Sequence, residues 1–139
     1  MKKLVLESSV ILKWLNQKHE DNIEQADKIL NDVQIGKVLL YAPEAAKYEI
    51  GKILLVGKRL TQTESKIPLM VLFNLPIEFI PHSPELLKRS YVIASAYGID
   101  IFESSFLALA EQKGATLITE NVNDEVSDLG LKIVALEDY

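Results

Sequence analysis

Residues 100–121 read DIFESSFLALAEQKGATLITEN, and this stretch decides the fold class. Asp100 to Lys113 reads as a helix: Asp100 is a capping residue type, and Gly114 supplies the stop. Ala115 to Thr119 (ATLIT) follows at once, a short apolar run of the kind that forms a buried strand. The alternation continues outward in both directions. Upstream, Ile77–Ile80 (IEFI) reads as a strand, and Ser83-Pro84-Glu85 opens a helix that Gly98 ends. Further back, Val38–Tyr41 (VLLY) is a strand candidate. Pro43 suits the first turn of a helix reaching Gly57, and another helix runs from Thr61 to about Asn74, bent by Pro68. At the start, Lys3–Glu7 (KLVLE) reads as a strand. Ser8 or Ser9 then caps a helix to about Gln17, and His19 to about Gly36 forms the next. Downstream, Asn121 to about Leu129 is a short helix or turn, and Leu131–Leu136 is the last strand. Short strands alternating with helices predict an α/β layered fold on a mostly parallel sheet.

The composition agrees with a single domain over residues 1–139: 48% hydrophobic, 25% charged, with no linker, repeat or low-complexity tract. The absence of cysteine excludes disulfide scaffolds, thiolate zinc sites and Cys nucleophiles. No apolar stretch of ~18 residues occurs, so no membrane span and a cytoplasmic location are expected. No GxGxxG, P-loop or GxSxG pattern is present, which removes nucleotide-cofactor and α/β-hydrolase chemistry. The net charge of -5 argues against gripping nucleic acid by charge alone.

Ligands of parallel sheets bind beyond the carboxyl ends of the strands. Glu7 ends the first strand, and Thr119, Glu120 and Asn121 end the fourth. Two more acids lie in helices near such ends, Glu49 and Glu103. At ~100° per residue, Glu49 flanks the apolar stripe of Ala46, Ile50, Ile53 and Leu54 and leans toward the core. Carboxylates gathered in one cleft repel each other unless a hard divalent cation neutralises them, and such an ion can orient water for attack on a phosphodiester. Structural alternatives stand beside each residue. Glu103 can form a capping box with Asp100, Asn121 can cap the short helix, Glu49 can pair with Lys52, and Ser9 can cap. Glu7, at the end of a buried strand, needs a partner or a cleft. His19 and His82 read as surface residues. Trp14, Phe73, Phe79, Phe102 and Phe106 read as core or dimer packing.

The segments LVLESSVILKWL, YAPEAAKYEIGKIL, YGIDIFESSFLALAEQKGATLITEN and IVALEDY together resemble the PIN-domain family, in particular the VapC-like toxins of type II toxin–antitoxin pairs and related archaeal PIN proteins. The resemblance runs over nearly the whole chain. It implies a three-layer α/β/α fold with a five-stranded parallel sheet in the order 3-2-1-4-5. It also implies metal-dependent endoribonuclease activity on single-stranded or structured RNA, a small antitoxin partner and a homodimer. The family's acidic positions fall on Glu7, Glu49, Glu103 and Asn121, with Ser9 and Thr119 adjacent. Glu7, Glu49 and Glu103 would be the ligands of Mg²⁺ or Mn²⁺. Glu stands at 7 and 103 where the family has Asp, and Asn stands at 121 where it has Asp. Asn121 offers an amide oxygen but no charge. The resemblance thus leaves two functions, a ribonuclease and a catalytically silent PIN homologue that binds RNA or protein.

Overall fold

The structure, a computed structural model, describes residues 1–139. Five strands form one all-parallel sheet in the order β3-β2-β1-β4-β5: β1 Lys2–Leu6, β2 Val38–Pro43, β3 Ile77–Ile80, β4 Thr116–Thr119 and β5 Ile133–Ala135. The helices are α1 Ser8–Ile11, α2 Ile23–Gln34, α3 Ala46–Lys52, α4 Gln62–Asn74, α5 Pro84–Tyr97 and α6 Ile101–Lys113. Short 3-10 turns extend α1 to Trp14, span Asp124–Leu129 and close the chain at Leu136–Asp138. This is the α/β layering expected from the alternation, in the three-layer form and strand order that the resemblance implies.

Strand parity assigns the two faces of the sheet. Val5 and Leu117 are paired, as are Leu117 and Ile133, so these side chains share one face. Helix α6 covers that face, and Lys113 Nζ at its end lies 4.9 Å from the centre of the Tyr41 ring. Leu4, Leu6 and Ile118 point to the other face, where α2 packs against β2. α6 lies between the sheet and α5, so Ser104 and Phe106–Ala110 are all buried. The central strand residues Leu4, Val5 and Leu6 are fully buried, as a parallel sheet covered on both faces requires.

Several boundaries differ from the sequence reading. Helix α2 begins at Ile23 and not at His19, because His19 and Asn22 both take left-handed backbone with φ near 60°. Pro43 ends β2 and does not open a helix. The β1 pairing stops at Tyr41, so the missing N–H of Pro43 breaks no ladder bond there, while its β3 neighbour Ile80 remains in register. Helix α3 starts at Ala46 and widens into a π-type turn over Ile53–Gly57. Thr61 caps α4 in a full capping box with Glu64. Neither Ser8 nor Ser9 caps α1. Glu7 holds the N-cap position without a side-chain capping bond, and the Ser8 hydroxyl is buried without a partner. Phe106 is core, but Phe73 and Phe102 are exposed. No single helix is long and apolar enough to cross a membrane.

Candidate functional site

The chain steps outward from β1 to β2 and β3, then returns to add β4 and β5 on the other side. The strand order therefore reverses between β1 and β4, and a crevice opens at their carboxyl ends. Glu7 follows β1 there, and Thr119 ends β4. Glu7 continues the parity of Val5, so its side chain emerges on the α6 face beside Thr119. The Thr119 hydroxyl donates a hydrogen bond to Glu7 Oε2. The Asn121 N–H in turn donates to Thr119 Oγ1 at 3.3 Å.

Glu103 enters the crevice from the first turn of α6. Asp100 caps this helix by accepting from the N–H groups of Phe102 and Glu103, at 2.7 and 3.4 Å. The Glu103 carboxylate does not complete a capping box. It turns to the crevice, where Asn123 Nδ2 donates to Oε1 at 3.3 Å. Glu7, Glu103, Thr119, Asn121 and Asn123 line one small pocket, whose enclosed space of about 10 Å³ has room for one water or one ion.

Glu49 lies on α3, on the flank of the stripe of buried Ala46, Ile50 and Leu54, and forms no ion pair with Lys52. It does not line the pocket, but its charge is felt there. The Glu7 carboxyl is pushed up to about 7, first by burial and then by the negative charges of Glu103 and Glu49, with the Thr119 hydrogen bond acting against them. Glu49 and Glu103, carried by two separate helices, thus both act on Glu7.

The donor set is all oxygen, with uncompensated negative charge, which suits a hard divalent cation in kind. No three of these acids converge closely enough to share one ion in this arrangement. The residues therefore fit a cation held by one or two carboxylates with water or phosphate filling the remaining positions, the habit of Mg²⁺.

Asn121 is exposed, and the short helix is capped two residues later than expected. Asn123 is the cap, its Oδ1 accepting from the Glu125 N–H at 3.0 Å. Asn123 thus orders its own turn and holds Glu103. Its place directly before the acidic pair Asp124-Glu125 is the sequence signal for a cap at this position. Ser9 is half-buried beside Glu7 and makes no side-chain hydrogen bond.

On the other side of β4's end lies a charge cluster that the sequence did not announce. Lys13 is buried, and its Nζ contacts Glu20 Oε1 at 2.7 Å and also Glu120 Oε1. Lys58 adds a second contact to Glu20, at 2.6 Å. Burial alone would pull the Lys13 ammonium down, but the bonds to Glu120 and Glu20 hold it above its ordinary value. Glu120 follows Thr119 and so points to the face opposite Glu7. The cluster ties the segment after β1 to the loop after β4 and, through Glu20, to Lys58 just beyond the π-type turn that follows α3.

Known structures share this architecture. VapBC2 from Rickettsia felis, bound to a DNA fragment from its promoter, superposes with a TM-score of 0.67 at 16% identity, covering 96% of this chain and 98% of that one. The VapC20 toxin of Mycobacterium tuberculosis, which cleaves the sarcin-ricin loop, does so at 0.67 with 10% identity, covering 92% and 95%. DNA-bound VapBC from Salmonella typhimurium matches at 0.67 with 12% identity, covering 98% and 99%. At such identities the likeness is one of fold. No curated protein matches the chain in sequence. The family model of the PIN domain matches residues 4–125, spanning β1 through the loop that carries Asn121 and Asn123. With the match covering most of its length, the chain belongs to the PIN-domain family.

Proposed function

We propose that this chain is a divalent-metal-dependent endoribonuclease of the VapC-like toxin type, acting as a single domain in the cytoplasm. The observation that carries the reading is the meeting of Glu7 and Glu103 in one pocket at the sheet's switch point, where Glu103 and Glu49 both raise the Glu7 carboxyl. Family membership and toxin neighbours of the same fold support it.

Glu7 and Glu103 would hold Mg²⁺ or Mn²⁺, with Glu49 close enough to contribute charge. When bound, the ion would supply orientation of the attacking water and stabilisation of the leaving oxygen of an RNA phosphodiester. The chain's own residues prepare that site. Thr119 fixes one oxygen of Glu7, and Asn123 fixes one oxygen of Glu103. Asn121 offers an uncharged amide at the mouth, suited to a phosphate or ribose rather than to proton abstraction.

Uncovered apolar surface leaves room for the two expected partners. Leu55 and Val56 after α3, and Ile67, Met70 and Phe73 on α4, are exposed apolar side chains available to a small antitoxin. A groove of about 760 Å³ between the starts of α5 and α6, edged by Leu87, Ile101 and Phe102, suits a second copy in a homodimer.

The neutral residue at 121 favours a second reading, a PIN homologue that binds RNA or protein without cutting. RNA cleavage with Mn²⁺ by wild type, Glu7→Gln and Asn121→Asp separates the two. The nuclease reading expects wild-type cleavage and a loss of at least ~10²-fold in Glu7→Gln. Cleavage at the wild-type rate by Glu7→Gln removes the site. An inert wild type with an active Asn121→Asp establishes the second reading.

A further inference from the structure

The face of the sheet away from Glu7 carries a second polar concavity at the opposite end of the strands. Lys2 opens β1, and Lys37 immediately precedes β2. Lys2 is paired with Val38, while Leu6 is paired with Ile118 and Ile118 with Val134. Lys132, two residues before Val134, therefore shares the Lys2 face. Lys28 reaches over from α2. These four lysines line a pocket of about 550 Å³ that has no residue in common with the acidic pocket.

None of the four forms an ion pair with an acidic side chain. The ion pairs of the molecule use only Lys13, Lys58 and Arg89. Two acids lie in the same pocket, Asp32 and Asp138. Asp32 is buried and already accepts from the Tyr139 hydroxyl at 2.6 Å. Lys28 rests over the Tyr139 ring at 4.7 Å and donates to the Tyr139 main-chain oxygen at 3.3 Å, which holds its ammonium at the pocket wall. A chain with net charge -5 thus gathers four lysines against two aspartates at one concave point, and Lys2, Lys37 and Lys132 among them have no ion-pair partner. Clustered positive charge in a concave site attracts anions, and lysine is a standard point-charge partner of phosphate.

We infer that this lysine-lined pocket is a binding site for a phosphate-bearing anion, formed at the amino-terminal end of the sheet and separate from the acidic cleft. Its volume admits a nucleotide-sized group. The phosphate can come from a free nucleotide or from a nucleic-acid backbone. The inference does not depend on the nuclease reading, since it uses no residue of that site.

Calorimetric titration of the full chain with pyrophosphate, a 5′-mononucleotide and a short single-stranded RNA tests it, in EDTA so that the acidic cleft carries no cation. Wild type should bind at least one probe saturably, and Lys2→Ala/Lys132→Ala should bind it about tenfold more weakly or worse. Both lysines are exposed, and the unfolding curve of the double variant checks that it folds. Lys66→Ala, on the remote surface of α4, should bind like wild type. Tightest binding of the mononucleotide identifies a free nucleotide as the source. Tightest binding of RNA, with a salt dependence lowered by about two charges in the double variant, identifies the backbone. Absence of saturable binding for all three probes, or equal affinity in wild type and the double variant, overturns the inference.

Discussion

Replacing Glu7 with Gln should stabilise the fold at alkaline pH and leave it nearly unchanged at acid pH. The Glu7 carboxyl is raised from 4.5 to about 7 in the folded chain. Between these values the folded state holds a proton that the unfolded state has released. Stability therefore falls as pH rises through that window, and the full cost is present above about 7. At 1.36 kcal/mol per unit, the shift corresponds to ~3 kcal/mol at most. Gln keeps an oxygen to accept the Thr119 hydrogen bond, removes the charge that Glu103 and Glu49 repel, and cannot titrate. Urea unfolding of wild type and Glu7→Gln in EDTA, at pH 4 and pH 8, isolates the effect, because every other group cancels in the difference. The variant should gain up to ~3 kcal/mol at pH 8 and almost nothing at pH 4. Adding Mn²⁺ at pH 8 should restore wild type and not the variant, by binding the ionised carboxylate. An equal difference between the two proteins at both pH values would refute the claim that burial and like charge hold Glu7 near neutrality.

Lys13→Met should lose about 3 kcal/mol in urea unfolding, because Glu120 and Glu20 would keep their charges in a partly desolvated place without the central cation; an unchanged midpoint would show that the cluster contributes nothing. Asp100→Ala should cost about 1 kcal/mol by removing the cap of α6, measured the same way. Phe106→Ala should cost roughly 3–5 kcal/mol, while Phe73→Ala, at 71% exposure, should stay within about 0.5 kcal/mol. Equal losses for the two Phe variants would contradict the assignment of the core.

The parts of the fold that could be read early are those where local signals agree. Asp100, the apolar helix after it, Gly114 and the run to Thr119 each specify the same helix-to-strand passage, and the boundaries observed lie within one residue of those expected. Boundaries failed where a backbone choice depended on distant partners. His19 and Asn22 adopt left-handed backbone that no single residue type demands. Pro43 reads as a helix opener until the neighbouring strand is known to have ended. The cap at Asn123 instead of Asn121 is a choice between two equally good residue types two positions apart.

The candidate site divides along the same line. Sequence alone determined that acids would lie at 7, 49 and 103 and an amide at 121, and that alternation of short strands with helices would carry them to strand ends. Periodicity and capping are local properties, so they are written along the chain. Which strands adjoin, and on which face each side chain emerges, only the tertiary structure decided. Register paired Leu6 with Ile118, and that pairing set Glu7 beside Thr119 while turning Glu120 toward Lys13. The same register gathered Lys2, Lys28, Lys37 and Lys132 into one pocket from positions spread along the chain. Charge becomes a site only through proximity, because repulsion, desolvation and ion pairing all depend on distance and burial rather than on order along the chain.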